Sequence, residues 1–159
     1  MNYQIRCVGK LRERYFRDAA NEYLKRIGRF GAIDEVEIPD LPEPQTPSPT
    51  ADARVMAEEG TRLLRGIKAG DYVIALCIEG ERWNSPAFAQ YLAALEVRGV
   101  SHVSFMIGGS LGLSPDVLRR ADCKLSFSPM TFPHQLARVL LLEQLYRACK
   151  LNAGERYHK

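Results

Sequence analysis

No two cysteines stand in a C-x-x-C arrangement: Cys7, Cys77, Cys123 and Cys149 are scattered along the chain. That spacing offers neither a zinc ribbon nor a disulfide framework. The four read as reduced, buried small hydrophobes, which places the protein in a reducing cytoplasm. Histidine is scarce too. His102, His134 and His158 share no ligand spacing with one another or with Asp, Glu or Cys, so no metal is expected. No apolar run approaches the ~20 residues that span a bilayer, and no membrane association is expected. The first residues alternate in polarity instead of forming the unbroken apolar stretch of a leader peptide. Phosphate loops of the G-x-G-x-x-G or G-x-x-x-x-G-K-[ST] kind are absent, which leaves dinucleotide and ATP binding unsupported. Charge bias is weak as well. A formal net charge of +3 permits nucleic-acid binding without demanding it.

What is present suits one domain, 1–159. Hydrophobic residues at 46% and charged residues at 26% are ordinary for a soluble globular chain. Alternation predicts strands at Tyr3–Val8 and Asp34–Ile38. The nearly all-apolar Tyr72–Ile78 predicts a central parallel strand covered on both faces. Three- and four-residue apolar steps predict helices over about 12–27, 52–67 and 86–98. Asp52 is the expected cap of the second, and Ser85-Pro86 of the third. The stretch Pro39–Thr50 holds five of the nine prolines and is predicted to be a mobile loop. The alternating order predicts an α/β fold, a mainly parallel sheet covered by helices.

The stretch Val103–His134 draws the functional reading. Apolar runs at Val103–Ile107 and Leu125–Phe127 predict two strands. Between them lie a turn with Gly108, Gly109 and Gly112 and a helix start at Ser114-Pro115-Asp116. A loop from Ser126 to Phe132 follows the second strand. If the two strands are neighbours, their loops form one crevice at the carboxyl rim, the usual ligand position in such sheets. Main-chain N–H and C=O groups there can read an adenine edge without charged side chains. A Ser-His-Asp hydrolase centred on Ser110 is a further reading that the residue types leave open. The last helix, about 133–151, is apolar around most of its circumference. That predicts a second buried face and hence a homodimer.

FMIGGSLGLS, LSFSPMTFPHQLARVLLLEQLYRA and the closing YHK resemble, in sequence and spacing, the signature segments of the bacterial RlmH family of 23S rRNA pseudouridine N3-methyltransferases. The likeness extends over the whole chain. It implies a C-terminal trefoil knot of the SPOUT class, a homodimer, S-adenosylmethionine as cofactor, and assembled ribosomes carrying 23S rRNA as substrate. Carried over by position, it implies cofactor contacts at Leu76, Gly108, Phe127, Ser128, Pro129, Met130, Thr131 and Phe132. Leu76 and Phe132 would sandwich the adenine. Other members can carry Pro-Glu where this chain has Ser110-Leu111, so an acidic contact at that turn is not carried over. Candidate catalytic residues are His134, Arg138, Tyr157 and His158. His158 suits a base or base-orienting role because imidazole titrates near neutrality. Arg138, Arg147, Lys150, Arg156 and Lys159 are candidate phosphate contacts. The rival readings are a knotted methyltransferase acting on tRNA and a non-catalytic nucleotide- or ribosome-binding protein.

Overall fold

The computed structural model describes residues 1–157, so His158 and Lys159 lie outside the described residues. Among the described residues, five strands and five helices alternate strictly. They are β1 (Asn2–Val8), α1 (Arg14–Ile27), β2 (Ile33–Ile38), α2 (Pro49–Leu64), β3 (Tyr72–Glu81), α3 (Ser85–Val97), β4 (His102–Ile107), α4 (Pro115–Arg120), β5 (Cys123–Leu125) and α5 (His134–Asn152). The strands form one sheet in the order β2-β1-β4-β3-β5, and every pairing is parallel. Each strand therefore ends at the same rim.

Alternation along β1 sends Tyr3, Ile5 and Cys7 to one face, where they join Phe105, Leu141, Leu142 and Leu145 in the larger core beneath α1, α3 and α5. Val8 faces the other way. It packs with Val73, Ala75 and Met106 under α2 and α4. Arg6 shares that second face and is only 6% exposed. Its Nε donates to the Leu63 carbonyl at 2.6 Å and a terminal nitrogen to the Arg65 carbonyl at 2.6 Å. Those carbonyls close α2, where helix geometry leaves oxygens without partners and the dipole favours a cation.

Three helices begin with a polar cap and a proline in the first turn: Ser48 for α2, Asn84 for α3 and Ser114 for α4. The expected cap Asp52 is thus corrected to Ser48, whose side chain accepts from the Ala51 N–H at 3.1 Å. Pro49 at N1 shortens the proline-rich loop. For α3, Asn84 accepts from Ala87 N–H at 2.8 Å, and Ser85 falls inside the helix.

Two further expectations are corrected. β5 runs Cys123–Leu125, and only Leu125 of the predicted Leu125–Phe127 is strand. β4 and β5 are not neighbours either, because β3 lies between them. Leu125 pairs with both Leu76 and Glu81, so residues 77–80 of β3 bulge around it. The Ser126 N–H then bonds the Glu81 carbonyl at 2.8 Å. Gly80 sits at the crest of this curl. A Cβ there would lie 2.5 Å from the Leu125 carbonyl carbon and 2.7 Å from its nitrogen.

Part of the wide apolar circumference of α5 is used inside the chain. α5 lies between α1 and α3 on the same sheet face, and Leu141, Leu142, Leu145 and Ala148 are buried without a second copy. Leu136, Ala137, Val139 and Leu140 stay half-buried in the single chain.

Candidate functional site

The carboxyl rim brings together the loops after β1, β3, β4 and β5. Gly108, at the end of β4, opens a turn that closes with a Gly109–Gly112 bridge, the Gly112 N–H donating to the Gly109 carbonyl at 3.1 Å. Gly112 has φ +88°, and a Cβ on Gly108 would lie 2.7 Å from the Gly112 carbonyl carbon. Both positions therefore require glycine. Leu76, half-buried, ends the regular part of β3 beside this turn.

The loop from Ser126 leaves the outer edge strand and reaches α5, whose first residue, His134, lies over the end of β1. A Cβ on Gly9 would be 2.9 Å from His134 Nε2. The segment thus crosses the rim above β3 and β4, a distance of about 14 Å for three interstrand steps. Its shape is held by two serines: Ser126 Oγ donates to the Ser128 carbonyl at 3.0 Å, and the Met130 N–H donates to Ser128 Oγ at 3.0 Å. Phe127 packs on the larger core, Phe132 is half-buried, and Met130 is 73% exposed. The N–H groups of Phe127, Ser128, Thr131 and Phe132 enter no hydrogen bond among the described residues. Unspent main-chain donors beside Leu76 and two phenylalanines fit the polar edge and flat faces of an adenosine. The residues implied as cofactor contacts, Leu76, Gly108 and Phe127–Phe132, thus lie along one rim. A separate cavity of about 370 Å³ opens at the β3–β5 edge between Gly80, Trp83, Tyr91 and Lys124. None of those cofactor-contact residues lines it.

Gly108–Gly112 also satisfies the pattern G-x-S-x-G of a nucleophile elbow. The geometry does not support that use. Ser110 Oγ bonds the Glu43 carboxylate at 2.6 Å, and the His134 ring lies against Gly9 instead. Among the described residues, no three His, Cys, Asp or Glu side chains are grouped to hold a metal, and no helix is long and apolar enough to cross a membrane.

His134 is half-buried. Burial pushes its pKa down, Asp40 works against that, and Arg12 and Arg138 add to it. The imidazole is neutral at pH 7 and keeps one nitrogen as an acceptor. Arg138, one turn further along α5, does not face the cleft. It is 3% exposed, its Nε donates to Glu35 Oε1 at 2.7 Å, and Glu37 lies 3.5 Å away. Burial alone would lower its pKa, but the bond to Glu35 and both carboxylates raise it. Arg138 ties α5 to β2 and so fixes the helix that carries His134. Arg138→Ala would leave Glu35 and Glu37 without their cation, a loss of about 3–5 kcal/mol. Urea denaturation should show it as a lower midpoint with unchanged slope.

Tyr157 lies against the far half of α5. Its hydroxyl donates to Glu143 Oε1 at 2.9 Å, and the Arg147 guanidinium stacks 4.0 Å from its ring centre. Arg147 also pairs with Glu143 at 2.6 Å. Burial and the Glu143 bond push the Tyr157 phenol up to about 12, so it donates a hydrogen bond at neutral pH and takes no proton. Of the other candidate phosphate contacts, Lys150 pairs with Glu155 and Arg156 is exposed. Glu143 lies nine residues past His134, roughly 14 Å along the helix axis. Tyr157 is thus docked away from His134.

Sequence reasoning missed three carboxylates at this rim. Asp40 pairs with Arg12 at 3.3 Å, Glu43 bonds Ser110, and Glu59 lies under Gly109, where an added Cβ would be 3.1 Å from its Oε2. Only Ser110 in the motif offered a signal, and it gave no clue to its partner 67 residues away.

A family model described as "Predicted SPOUT methyltransferase" matches residues 1–158. The chain is 54% identical over 159 residues to the "Ribosomal RNA large subunit methyltransferase H" of Bifidobacterium animalis subsp. lactis, with 100% of both chains covered. Proteins of the same name from Bifidobacterium adolescentis and Lacticaseibacillus casei are 49% and 50% identical, again over 100% of both chains. Among solved structures, a probable methylase family protein from Haemophilus influenzae aligns with a TM-score of 0.57 at 12% identity. That alignment covers 99% of this chain and 70% of the other, and it speaks for the fold alone.

Proposed function

From the premise that the chain belongs to the SPOUT methyltransferase family, we infer that it transfers a methyl group to the ribosomal RNA of the large subunit. The observation that carries this is identity near 50% along the entire length to large-subunit rRNA methyltransferases. The finer reading is that the acceptor is N3 of a pseudouridine in 23S rRNA, that the donor is S-adenosylmethionine, and that the working unit is a homodimer acting on assembled ribosomes.

When bound, S-adenosylmethionine supplies an electrophilic methyl group on a sulfonium. The chain's own task is to hold the donor and align the acceptor. Leu76 and Phe132 would flank the purine. The free N–H groups between Phe127 and Phe132 suit its edge, and the glycine turn leaves room for main chain to approach the ligand. His134, neutral at the mouth of the cleft, suits the acceptor proton or a water that carries it. Each tail is taken to serve the other copy's cleft across the dimer, a reading supported by the docking of Tyr157 against α5, away from His134. In that reading His158 completes the site from the partner, and Arg156 and Lys159 meet phosphate. The same rim reading takes the loop from Ser126 to Pro133 as the threaded part of a trefoil knot, with the β3 curl as the loop around it.

The test uses ribosomes from a strain lacking this protein, incubated with the purified chain and S-adenosylmethionine carrying a labelled methyl. Label is expected in 23S rRNA at one pseudouridine, with none in tRNA or in the small subunit. Label confined to tRNA, or donor binding without transfer, would overturn the reading.

A further inference from the structure

The glycine turn that receives the donor in the reading above has little of its own to hold it in shape. Between Gly108 and Gly112 only Ser110 and Leu111 carry side chains, and glycine-rich backbone loses the most freedom on ordering. Two carboxylates from elsewhere grip it. Glu59, 5% exposed on α2, fills the space beneath Gly109. Glu43 meets Ser110 Oγ at 2.6 Å from the solvent side.

Glu43 rides on the proline-rich segment between β2 and α2, which is anchored on both sides of it. At one end the Gly9 N–H bonds the Ile38 carbonyl at 2.7 Å and Asp40 pairs with Arg12 at 3.3 Å; at the other, Ser48 caps α2. Arg12 is joined in turn to α5, its N–H donating to Gln135 Oε1 at 2.8 Å. From Pro39 to Ala53 the chain carries acids and no Lys or Arg, so this arm is unsuited to hold RNA phosphates. Its four prolines before Ser48 restrict the backbone in advance, as a strut requires.

We propose that Glu43 is a positioning residue: its bond to Ser110 clasps the proline-rich arm onto the glycine turn and sets that turn in the shape that accepts the methyl donor. The proposal rests on the donor-binding reading above. A hydroxyl-to-carboxylate bond is charge-assisted and stronger than a neutral one, yet it lies outside both cores, so its loss acts on the turn and not on the fold.

Isothermal titration of the full chain with S-adenosylmethionine and with S-adenosylhomocysteine tests it. Glu43→Ala and Ser110→Ala are each expected to weaken binding by about tenfold. The double variant should lose no more than either alone, because the two share one bond. Glu43→Gln, which keeps an acceptor, should recover most of the affinity. In the transfer assay Glu43→Ala should raise KM for the donor while kcat at saturating donor stays near wild type, and Tm should not move. Wild-type affinity in Glu43→Ala, or losses that multiply in the double variant, would overturn the clasp while leaving donor binding intact. Failure of the unaltered chain to bind either ligand would instead sink the donor reading and the clasp with it.

Discussion

Gly80→Val is expected to cost more than about 3 kcal/mol of stability and to strip most of the chain from the soluble fraction. The reason is the position of that glycine. A Cβ at Gly80 would be 2.5–2.7 Å from main-chain atoms of Lys124 and Leu125, distances that side-chain rotation does not relieve. Relief requires the curl of β3 to lift from β5, which breaks the pairing of Leu125 with Glu81 and the Ser126–Glu81 bond. Everything that shapes the rim after Ser126 then loses its starting point. Gly70→Val is the control, since nothing lies within 4 Å of a Cβ there. It should unfold at nearly the wild-type urea concentration. Equal midpoints for the two variants would show that the curl tolerates a side chain and that its closeness to β5 carries no weight.

Removing Tyr157–Lys159 is expected to reduce methyl transfer by a hundredfold to ten-thousandfold, roughly the range a positioned acid or base supplies, while leaving donor affinity within twofold. The Tyr157 ring stacks on Arg147 and bonds Glu143 at the far half of α5, away from every main-chain group assigned to the donor. Single-turnover transfer to ribosomes and titration with S-adenosylhomocysteine separate the two effects. A companion variant sharpens the assignment. Tyr157→Phe removes the hydroxyl but keeps the stacked ring, and because the phenol is pushed up to about 12, the pH dependence of transfer between 6 and 9 should keep its form. Transfer at the full rate without the tail would remove it from the site, and a pH profile flattened by Tyr157→Phe would make the phenol a proton carrier after all.

The alternation of strands and helices was legible because it is written locally, in period and in caps. Ser114-Pro115 gave its helix correctly, and the same signature at Ser48-Pro49 was there to be read but was absorbed into the proline-rich run around it. β5 was misplaced by two residues because Cys-Lys-Leu is less apolar than the Leu-Ser-Phe that follows. What the sequence concealed is long-range. Nothing local announces that β3 separates β4 from β5, since strand order depends on which crossover packs where. Arg6 and Arg138 look like surface residues until the carbonyls of α2 and the glutamates of β2 are seen to be their partners. The breadth of the apolar surface on α5 was read correctly; α1 and α3 cover one part of it, which the sequence did not announce, while Leu136, Val139 and Leu140 stay half-buried. For the site, the residues named through the resemblance fall along one rim, whereas Glu43 and Glu59 belong to segments far away in the chain and join that rim only through folding.

The double engagement of Leu125, by Leu76 on one side and by Glu81 on the other, also bears on how the protein is made. Neither partner of that grip is complete until synthesis has moved more than forty residues past the curl. During synthesis the curl therefore has no strand to hold until Cys123–Leu125 has been translated. The last third of the polypeptide is accordingly the natural place for a pause or a chaperone to act during biogenesis.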